Sequence, residues 1–452
     1  MIFKNKKILV VGAGISGISV AKVLQEIGAQ VCLSDSKKIE DVNHDLTGLI
    51  DSGVSLNFGE QDEAILVDLD YMIISPGISI NAPLVLAAKA KGIIVLSEVE
   101  VAFQLAQAPI LAVTGTNGKT TTTTLLSSLL TQTGKKVHVG GNIGMALSNE
   151  AILAQADDLI IAEISSFQLE GVCDFKPHIA AILNITPDHI DRHGNLENYQ
   201  AAKEKIFAQQ DENDFLVLNY DDTKVAKLAA KSKGKVLFFS TKATLREGIF
   251  LENHQIVSLF DGEKNIICHK DDLQIKGEHN IQNAMAACAF SIILGLKAEV
   301  LAKVLKEFKS VEHRIEFVDT INGIEYYNDS KATNPESAIK ALEAFAGGVI
   351  LLAGGHDKMT DLTQFMQEIK KKTVCLILIG EATARFKENA LKHKIDNIYT
   401  ATSMEDAVAY AHEIAKINQV VLLSPACSSY DMFKNYEERG KVFKQLVKNL
   451  KR

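Results

Sequence analysis

The chain has 452 residues, which is too long for a single domain with one hydrophobic core. Of these residues, 47% are hydrophobic and 23% are charged, as is typical of a globular protein. We therefore expect two or three globular domains with little disorder. The net charge is -8 and the sequence contains no basic stripe, so we expect no binding of nucleic acid. No segment has the length and apolar composition of a membrane span, so we expect no insertion into a membrane. The six cysteines contain no close pair, which argues against a zinc knuckle or a disulfide scaffold and favours a reducing cytoplasm.

The N-terminal segment predicts a nucleotide-binding βαβ unit. Lys7–Val11 is a strand candidate followed by Gly12-Ala-Gly14-Ile-Ser-Gly17, a helical pattern and a second strand that ends near Asp35. NAD, FAD and UDP would all satisfy this motif, and a purely structural tight turn is the alternative. The lysines and apolar residues of this segment also have the outline of a signal peptide, but its three glycines argue against one.

Residues 109–121 predict a phosphate-binding loop. A strand over Ile110–Val113 is followed by Gly115-Thr116-Asn117-Gly118-Lys119-Thr120, and a helix is predicted over Thr121–Leu130. Lys119 would reach the terminal phosphates of a nucleotide, and the Thr120 hydroxyl would bind magnesium. Val113 stands where the full Walker spacing has a further glycine, so the loop is a shortened variant. A strand, turn and helix without ligand is the alternative.

Polar residues follow the other predicted strands of this region. Glu163 ends a strand over 159–163, and a strand over 179–184 opens into Thr186-Pro-Asp-His189-Ile-Asp-Arg-His193, a cluster that packing alone does not explain. A turn at 140–144 exposes Asn142. Lys203 lies one helical turn after Tyr199, and by periodicity alone it is a solvated helix lysine.

A third series of strands and helices begins near residue 312. Strands over 324–327, 349–353, 374–379 and 420–423 end in polar loops and predict a second doubly wound domain. Asn334 before Pro335 predicts a helix N-cap, which does not account for the neighbouring polar side chains at 329–333. The final helix is predicted to bury an apolar stripe of Met432, Phe433, Tyr436, Phe443 and Leu446.

The order of these motifs resembles that of the Mur ligases, ATP-dependent amino-acid-adding enzymes of peptidoglycan synthesis. The third-domain blocks and the N-terminal glycine-rich βαβ unit are similar to those of the D-glutamate-adding branch. The resemblance spans nearly the whole chain. It rests on the blocks Gly115–Thr120, Glu163–Leu169, Asn184–His189, Lys203, Gly277–Asn280, His313-Arg314, Asn328–Asn334 and Ser424–Tyr436.

The resemblance implies three α/β domains that bind three substrates. Residues 1–98 form an N-terminal Rossmann-like domain for the UDP-sugar. Residues 99–310 form a central P-loop ATPase-like domain with a mostly parallel sheet, which binds ATP and magnesium. Residues 311–452 form a C-terminal dinucleotide-binding-like domain for the amino acid.

The resemblance also assigns residue roles. The expected catalytic residues are Lys119, His189 and Lys203. The expected ATP-binding residues are Gly115, Thr116, Asn117, Gly118, Lys119, Thr120, Thr121, Asn283, Arg314, Asp329 and Lys331. The expected UDP-sugar contacts are Ile15, Ser16, Asp35, Ser36, Lys37, Gly77 and Asn142. The expected D-glutamate contacts are Thr333, Lys358, Ser429 and Tyr436. The expected metal ligands are Thr120, Glu163, His189 and Lys203.

Two magnesium ions are implied, with some tolerance of manganese because His189 supplies a nitrogen ligand. A bare ammonium cannot ligate a cation, and the resemblance implies that Lys203 carries a carbamate, which would make it an oxygen ligand of the kind that magnesium prefers. Lys37 and Tyr436 stand where the family has an arginine and a phenylalanine, so bidentate contact with the diphosphate is lost at Lys37.

The implied reaction is the ATP-dependent joining of D-glutamate to UDP-N-acetylmuramoyl-L-alanine through an acyl phosphate, by a cytoplasmic monomer. Closure of the third domain would bring Arg314 and Lys331 over the nucleotide and exclude water. Another Mur-type or folylpolyglutamate-type ligase is the alternative within the class. A nicotinamide-dependent oxidoreductase and a non-catalytic UDP-sugar sensor are the alternatives outside it.

Overall fold

Three β-sheets carry the fold, and each collects the strands of one predicted domain. The structure is a computed structural model that describes residues 2–42, 46–275, 277–309 and 311–451. The chain divides into two units, Met1–Lys270 with Gln282–Leu305 and Asp271–Ile281 with Lys306–Arg452. The first unit contains the first two sheets, and the second contains the third sheet. The predicted boundary at residue 98 stays a prediction, while the boundary at residue 310 lies outside the described residues.

The first sheet is parallel throughout and has the strand order β3-β2-β1-β4-β5. The chain leaves β1 toward one edge and returns to β4 on the other side, so the loops after β1 and β4 border the crevice in which such sheets bind ligands. Apolar side chains cover both faces. The strands are β1 (Lys7–Val11), β2 (Gln30–Asp35), β3 (Ser55–Phe58), β4 (Tyr71–Ile74) and β5 (Ile94–Ser97). The helices are α1 (Ile15–Glu26), α2 (Thr47–Asp51), α3 (Pro83–Ala90) and α4 (Glu98–Leu105).

The second sheet has nine strands in the order β14-β13-β12-β11-β10-β9-β6-β8-β7. It is parallel from β7 to β12, and β12, β13 and β14 form an antiparallel meander. The chain reverses between β6 and β9, which makes the loops after these two strands the expected ligand edge. The strands are β6 (Ile110–Thr114), β7 (Val137–Gly141), β8 (Leu159–Glu163), β9 (Ile179–Ile182), β10 (Phe215–Asn219), β11 (Lys235–Ser240), β12 (Gly248–Glu252), β13 (Gln255–Phe260) and β14 (Glu263–His269). The helices are α5 (Lys119–Leu130), α6 (Leu147–Leu153), α7 (Ser166–Glu170), α8 (Ile190–His193), α9 (Leu196–Glu204), α10 (Thr223–Lys227), α11 (Glu278–Ile293) and α12 (Ala298–Glu307).

The third sheet has the order β15-β16-β20-β17-β18-β19, parallel except for the antiparallel edge strand β15. Alternate residues of its central strands enter two separate cores, one on each face, as a doubly wound sheet requires. The strands are β15 (Glu316–Ile321), β16 (Ile324–Asn328), β17 (Val349–Gly354), β18 (Thr373–Ile379), β19 (Ile398–Thr400) and β20 (Val420–Leu423). The helices are α13 (Pro335–Glu343), α14 (Thr363–Lys372), α15 (Thr383–Lys392), α16 (Met404–Ile414) and α17 (Tyr436–Asn449).

Helix starts follow local capping chemistry. Asn334 accepts the Ser337 amide at 2.8 Å with Pro335 in the first turn, which confirms the predicted cap. Asn435 caps α17 in the same way, accepting the Glu438 amide at 2.8 Å. The final helix therefore begins at Tyr436, and the prediction that Met432 and Phe433 belong to its stripe was wrong.

Helical periodicity also gave a wrong prediction for the exposure of Lys203. The side chain lies on α9 and is 1% exposed, so the interpretation as a solvated helix lysine was wrong. In the part of the chain that the structure describes, no helix combines the length and apolar character needed to cross a bilayer.

Candidate active site

The phosphate loop joins the buried strand β6 to helix α5, which begins at Lys119, two residues before the predicted start. Gly118 precedes the helix with φ +87°, a conformation that favours glycine. A Cβ atom there would lie 2.2 Å from Oδ1 of Asn283. Gly118 is therefore required both by its backbone angle and by the close approach of a residue that was predicted to bind ATP.

Asn184, which follows β9, holds the loop in shape. Its Oδ1 accepts the Asn117 amide at 2.8 Å, and its Nδ2 donates to the Asn117 carbonyl at 3.0 Å. The backbone carbonyl of Asn184 accepts the Thr116 amide at 3.0 Å. The sequence motif included Asn184, but no role was predicted for it, because the contact joins residues 67 positions apart.

The two lysines that were predicted to be catalytic meet at one carbonyl. Lys119 Nζ donates to the Gly115 carbonyl at 2.7 Å and to the Thr116 carbonyl at 2.9 Å. Lys203 Nζ donates to the same Gly115 carbonyl at 3.0 Å and lies 4.6 Å from the centre of the Tyr199 ring. Two basic groups are thus collected at the end of β6, where an anionic ligand would lie against the loop.

The environment of Lys203 disfavours its charged form. Burial, and then the charge of Lys119, lower the pKa of Lys203 well below its ordinary value, while Asp188 acts in the opposite direction. Among the described residues, no carboxylate lies within ion-pair distance of its Nζ. A neutral amine is nucleophilic toward carbon dioxide, so the site fits the carbamate that the sequence led us to expect.

Glu163 lies at the end of β8, beside β6 in register with Val113, and is 1% exposed. Its Oε1 accepts Asn142 Nδ2 at 2.8 Å, and its backbone carbonyl accepts the Asn142 amide at 2.8 Å. Its Oε2 is buried and has no hydrogen-bond partner among the described residues. A buried carboxylate oxygen without a donor is costly unless a cation binds it, so this residue fits a metal ligand.

His189 immediately precedes α8 and has a left-handed conformation, with φ +53°. Its Nε2 lies 3.6 Å from Asp188 Oδ2, and its ring packs edge-on to Phe167 with centroids 4.8 Å apart. Phe167 belongs to α7, which follows Glu163 after a short turn. His189 is therefore held against the helix that follows Glu163, and its side chain is 43% exposed.

The first-sheet residues surround the loop after β1. A Cβ atom on Gly17 would lie 1.9 Å from the Gly12 carbonyl, so the helix packs against the loop as the motif requires. Asp35 accepts the Ala13 amide at 2.7 Å and the Lys37 amide at 2.9 Å, which ties β2 to this loop. The remaining predicted UDP-sugar contacts of this sheet are exposed or half-buried at its carboxyl edge, namely Ile15, Ser16, Ser36, Lys37 and Gly77.

The predicted residues of the second unit lie after β16, β17 and β20, at the carboxyl edge of the third sheet, except for Arg314, which precedes β15. Asp329 is buried and accepts the Ile315 amide at 3.2 Å and the Ser424 hydroxyl at 2.7 Å. Burial raises the pKa of Asp329 to about 7, against the opposing charges of Arg314 and Arg439. Lys331 Nζ lies 5.5 Å from the centre of the Tyr436 ring.

The same edge carries the rest of the predicted amino-acid contacts. Ser429 is buried, Thr333 is half-buried and Lys358 is exposed. Arg439, which the sequence did not single out, is 2% exposed and donates to the carbonyls of Ser330, Cys427 and Ser428. Arg439 therefore links the loops after β16 and β20. The sequence feature that could have indicated this role is an arginine among the buried positions of the final helix.

A phosphate-loop domain that is preceded and followed in the chain by doubly wound α/β domains defines a class of multidomain nucleotide-binding proteins. Three family models match in the same order. They are the Mur ligase MurD-like N-terminal domain at residues 6–97, the Mur ligase middle domain at 113–291 and the Mur ligase glutamate ligase domain at 313–427. The chain belongs to the Mur ligase family.

Curated relatives and solved structures agree with this assignment. A protein of Thermoanaerobacter sp. (strain X514) named UDP-N-acetylmuramoylalanine--D-glutamate ligase is 44% identical over 100% of both chains. A protein of the same name from Alkaliphilus oremlandii is 42% identical over 100% of both. A pseudomurein peptide ligase type C from Methanothermus fervidus has a TM-score of 0.61 at 19% identity, covering 99% of this chain and 100% of that one. The MurF ligase from Thermotoga maritima in complex with ADP also gives 0.61, at 16% identity and with 99% and 96% covered.

Proposed function

We propose that this chain is an ATP-dependent ligase that adds D-glutamate to UDP-N-acetylmuramoyl-L-alanine in peptidoglycan precursor synthesis. The observation that carries the proposal is a buried carboxylate oxygen of Glu163 that has no hydrogen-bond partner among the described residues and lies near a phosphate loop and a buried lysine. The chain is also 44% identical from end to end to a ligase of that name. The wider family alternative is disfavoured because several full-length curated relatives carry this same name.

The reaction has two steps. A carboxylate oxygen of the UDP-sugar attacks the γ-phosphorus of ATP, the bond from that phosphorus to the β,γ-bridging oxygen breaks, and ADP leaves. The D-glutamate nitrogen then attacks the acyl carbon, the carbon–oxygen bond to phosphate breaks, and the nitrogen loses its proton as the amide forms. Because most of the work is positioning and neutralisation of charge, cationic groups at the loop are the expected catalytic parts.

The ATP phosphates would lie on the loop that Asn184 holds open. The backbone amides of Gly115–Thr121 would donate to them, and Lys119 would exchange its two loop carbonyls for the terminal phosphates. Asn283, next to Gly118, would contact the adenine end of the nucleotide. Arg314, Asp329 and Lys331 are proposed to bind the same nucleotide from the third domain.

Magnesium would be held by side chains near the carboxyl edge of the second sheet. Thr120 and Glu163 would bind one ion, and Glu163, His189 and a carbamate on Lys203 would bind a second. When bound, magnesium neutralises charge on the transferring phosphoryl group. Asn142, which donates to Glu163, would fix the direction of that carboxylate, and the nitrogen of His189 supports some tolerance of manganese.

The other two substrates would bind at the carboxyl edges of the first and third sheets. Ile15, Ser16, Asp35, Ser36, Lys37 and Gly77 are proposed to receive the uracil and diphosphate, and Asn142 the acid end. Thr333, Lys358, Ser429 and Tyr436 are proposed to surround D-glutamate, with Lys358 as a cation for its side-chain carboxylate. We further propose that the enzyme is a cytoplasmic monomer with these small molecules as its partners.

Phosphate release from ATP tests the function. The purified chain is given UDP-N-acetylmuramoyl-L-alanine and magnesium, and D-glutamate is compared with L-alanine, L-glutamate and meso-diaminopimelate. We expect release to depend on D-glutamate alone, with the ligated product identified by mass spectrometry. Release that another amino acid stimulates equally would replace the proposed substrate. Nucleotide binding without any release would favour a sensor, and an absorbance change with a nicotinamide cofactor would favour the oxidoreductase.

A further inference from the structure

Arg192 of α8 contacts two parts of the first unit that lie far apart in sequence. Its Nη2 donates to the Ile78 carbonyl at 2.8 Å and its Nη1 to the Gly77 carbonyl at 3.4 Å. Its Nη2 and Nε also donate to the Glu170 carboxylate, at 2.6 and 3.3 Å. One planar guanidinium thus joins the loop after β4 to α7 and α8 at the carboxyl edge of the second sheet, which is the central sheet of the chain.

The loop after β4 is tied to the glycine-rich loop after β1. The Ile78 amide donates to the Ser75 carbonyl at 2.9 Å, which closes the turn. The Ser75 hydroxyl donates to the Gly12 carbonyl at 2.7 Å, and this contact is buried. Arg192 binds the Gly77 and Ile78 carbonyls of this turn, so it contacts the segment that Ser75 ties to the glycine-rich loop.

The same guanidinium also contacts the ring of Phe167, which in turn packs against the candidate metal ligand His189. Its Cζ lies 4.7 Å from the centre of the Phe167 ring, and that ring packs against His189 with centroids 4.8 Å apart. Glu170, the counter-charge of Arg192, lies on the same short helix as Phe167. A shift of Arg192 would therefore move the turn at residues 75–78 relative to the edge that carries Glu163 and His189.

We propose that Arg192 is a positioning residue that fixes the UDP-sugar turn of the first sheet, residues 75–78, against the catalytic edge of the central sheet. The inference rests on the proposed function, because it takes this turn as part of the UDP-sugar site. Lysine cannot replace arginine here, since a point charge cannot hold two carbonyls and a bidentate carboxylate at once. Binding of the UDP-sugar, rather than of ATP or D-glutamate, should depend on Arg192.

Steady-state kinetics of Arg192→Lys test the proposal. We expect the KM for the UDP-sugar to rise about tenfold, as loss of charge-assisted hydrogen bonds predicts, with the KM values for ATP and D-glutamate changed less than about twofold. The matched control is Arg246→Lys, at an exposed arginine, which should leave all three KM values unchanged. A uniform fall in kcat with unchanged KM values would overturn the proposal and show a merely structural role.

Direct binding separates this inference from the proposed function. Calorimetric titration with UDP-N-acetylmuramoyl-L-alanine, without nucleotide, should give a Kd about tenfold weaker for Arg192→Lys, and guanidinium ion should partly restore binding to Arg192→Ala. Glu170→Gln combined with Arg192→Lys should weaken binding less than the two single effects predict together. If wild type releases phosphate with D-glutamate while both variants bind normally, only the inference fails. If wild type does not bind the UDP-sugar, both fail.

Discussion

At the residue scale, the most informative side chain is Lys203. A lysine on an amphipathic helix is ordinarily solvated, yet this one is 1% exposed and shares the Gly115 carbonyl with Lys119. Burying an ammonium without a carboxylate partner is costly, so the amine is driven toward its neutral form. The cost is accounted for if the neutral amine is the starting point for a carbamate ligand.

Lys203→Ala should abolish D-glutamate-dependent phosphate release, because the second metal would lose an oxygen ligand. Added bicarbonate should not restore activity, whereas a short-chain carboxylic acid should restore part of it by filling the space with an oxygen donor. Lys227→Ala, at an exposed lysine, is the control and should behave as wild type. Full activity in untreated Lys203→Ala would contradict the proposed metal role.

Asn142→Ala should weaken magnesium binding by roughly 10- to 100-fold, since partners that orient a ligand commonly contribute that much to metal affinity. The reason is that Asn142 donates to Glu163 Oε1, leaving Oε2 available to a cation. The measurement is the magnesium concentration for half-maximal phosphate release. Asn213→Ala, on an exposed loop, is the control. An unchanged magnesium midpoint with a raised KM for the UDP-sugar would contradict the role beside the metal and leave Asn142 only as the proposed substrate contact.

At the scale of elements, the phosphate loop shows how one turn depends on several strands. The strand and the helix follow from local pattern, since β6 is an apolar run and α5 begins directly after a glycine. The shape of the loop depends on Asn184, which follows β9, the strand that pairs with β6 in the sheet. The loop is therefore preorganised by a residue, Asn184, that lies outside the phosphate-loop motif.

The variant Gly118→Ala tests whether the close approach of Asn283 matters in addition to the backbone strain of a positive φ. An alanine with φ +87° is strained by about 1–2 kcal/mol, and its Cβ would also meet Asn283 at 2.2 Å. Gly134→Ala is the matched control, since Gly134 has φ +75° but no heavy atom within 4 Å of the place where an alanine Cβ would lie. We expect both variants to lower the free energy of unfolding, and Gly118→Ala to lower it more and to weaken ATP binding. Equal losses, with ATP binding unchanged, would show that the contact with Asn283 has no effect.

At the scale of the whole molecule, three sheets present their carboxyl-end loops as the candidate sites. Parallel strands place all their carboxyl ends at one edge, so residues that are remote in sequence meet there without special contacts. In the second unit this edge also contains a buried acid, Asp329, whose protonation affects the stability of that fold. The pH dependence of unfolding is thus expected to report on the third sheet.

Burial raises the pKa of Asp329 from an ordinary 3.8 to about 7, so its stabilising contribution is complete below pH 4 and is lost as pH rises toward 7. Relative to Asp329→Asn, wild type should lose up to about 4 kcal/mol between pH 4 and pH 8. Hydrogen exchange of β16 and β20 amides measures this difference. Burial lowers the pKa of His279 to about 3, which acts in the opposite direction in both proteins and cancels. Asp396→Asn is the exposed control, and identical pH profiles for wild type and Asp329→Asn would contradict the prediction.

Much of the fold was predictable, because strand and helix positions follow from local periodicity and turn residues. The strands at Lys7–Val11, Leu159–Glu163 and Val420–Leu423 were predicted with their observed ends. The end of the chain was less predictable, since Asn435 rather than apolar spacing sets the start of α17. The residue roles in binding and catalysis remain predictions for the experiments above.

The sequence by itself determined the element order, the glycine turns, the phosphate loop and the family, because these depend on short-range backbone preferences and on the spacing of motifs. Only the tertiary structure decided that Lys203 is buried, that one oxygen of Glu163 has no donor among the residues that are described, and that Arg192 donates to the turn after β4. Burial and hydrogen-bond partners depend on segments that are distant in sequence, such as the 88 positions between Lys203 and Gly115. Such contacts leave no local pattern, and they exist only once the sheets have formed.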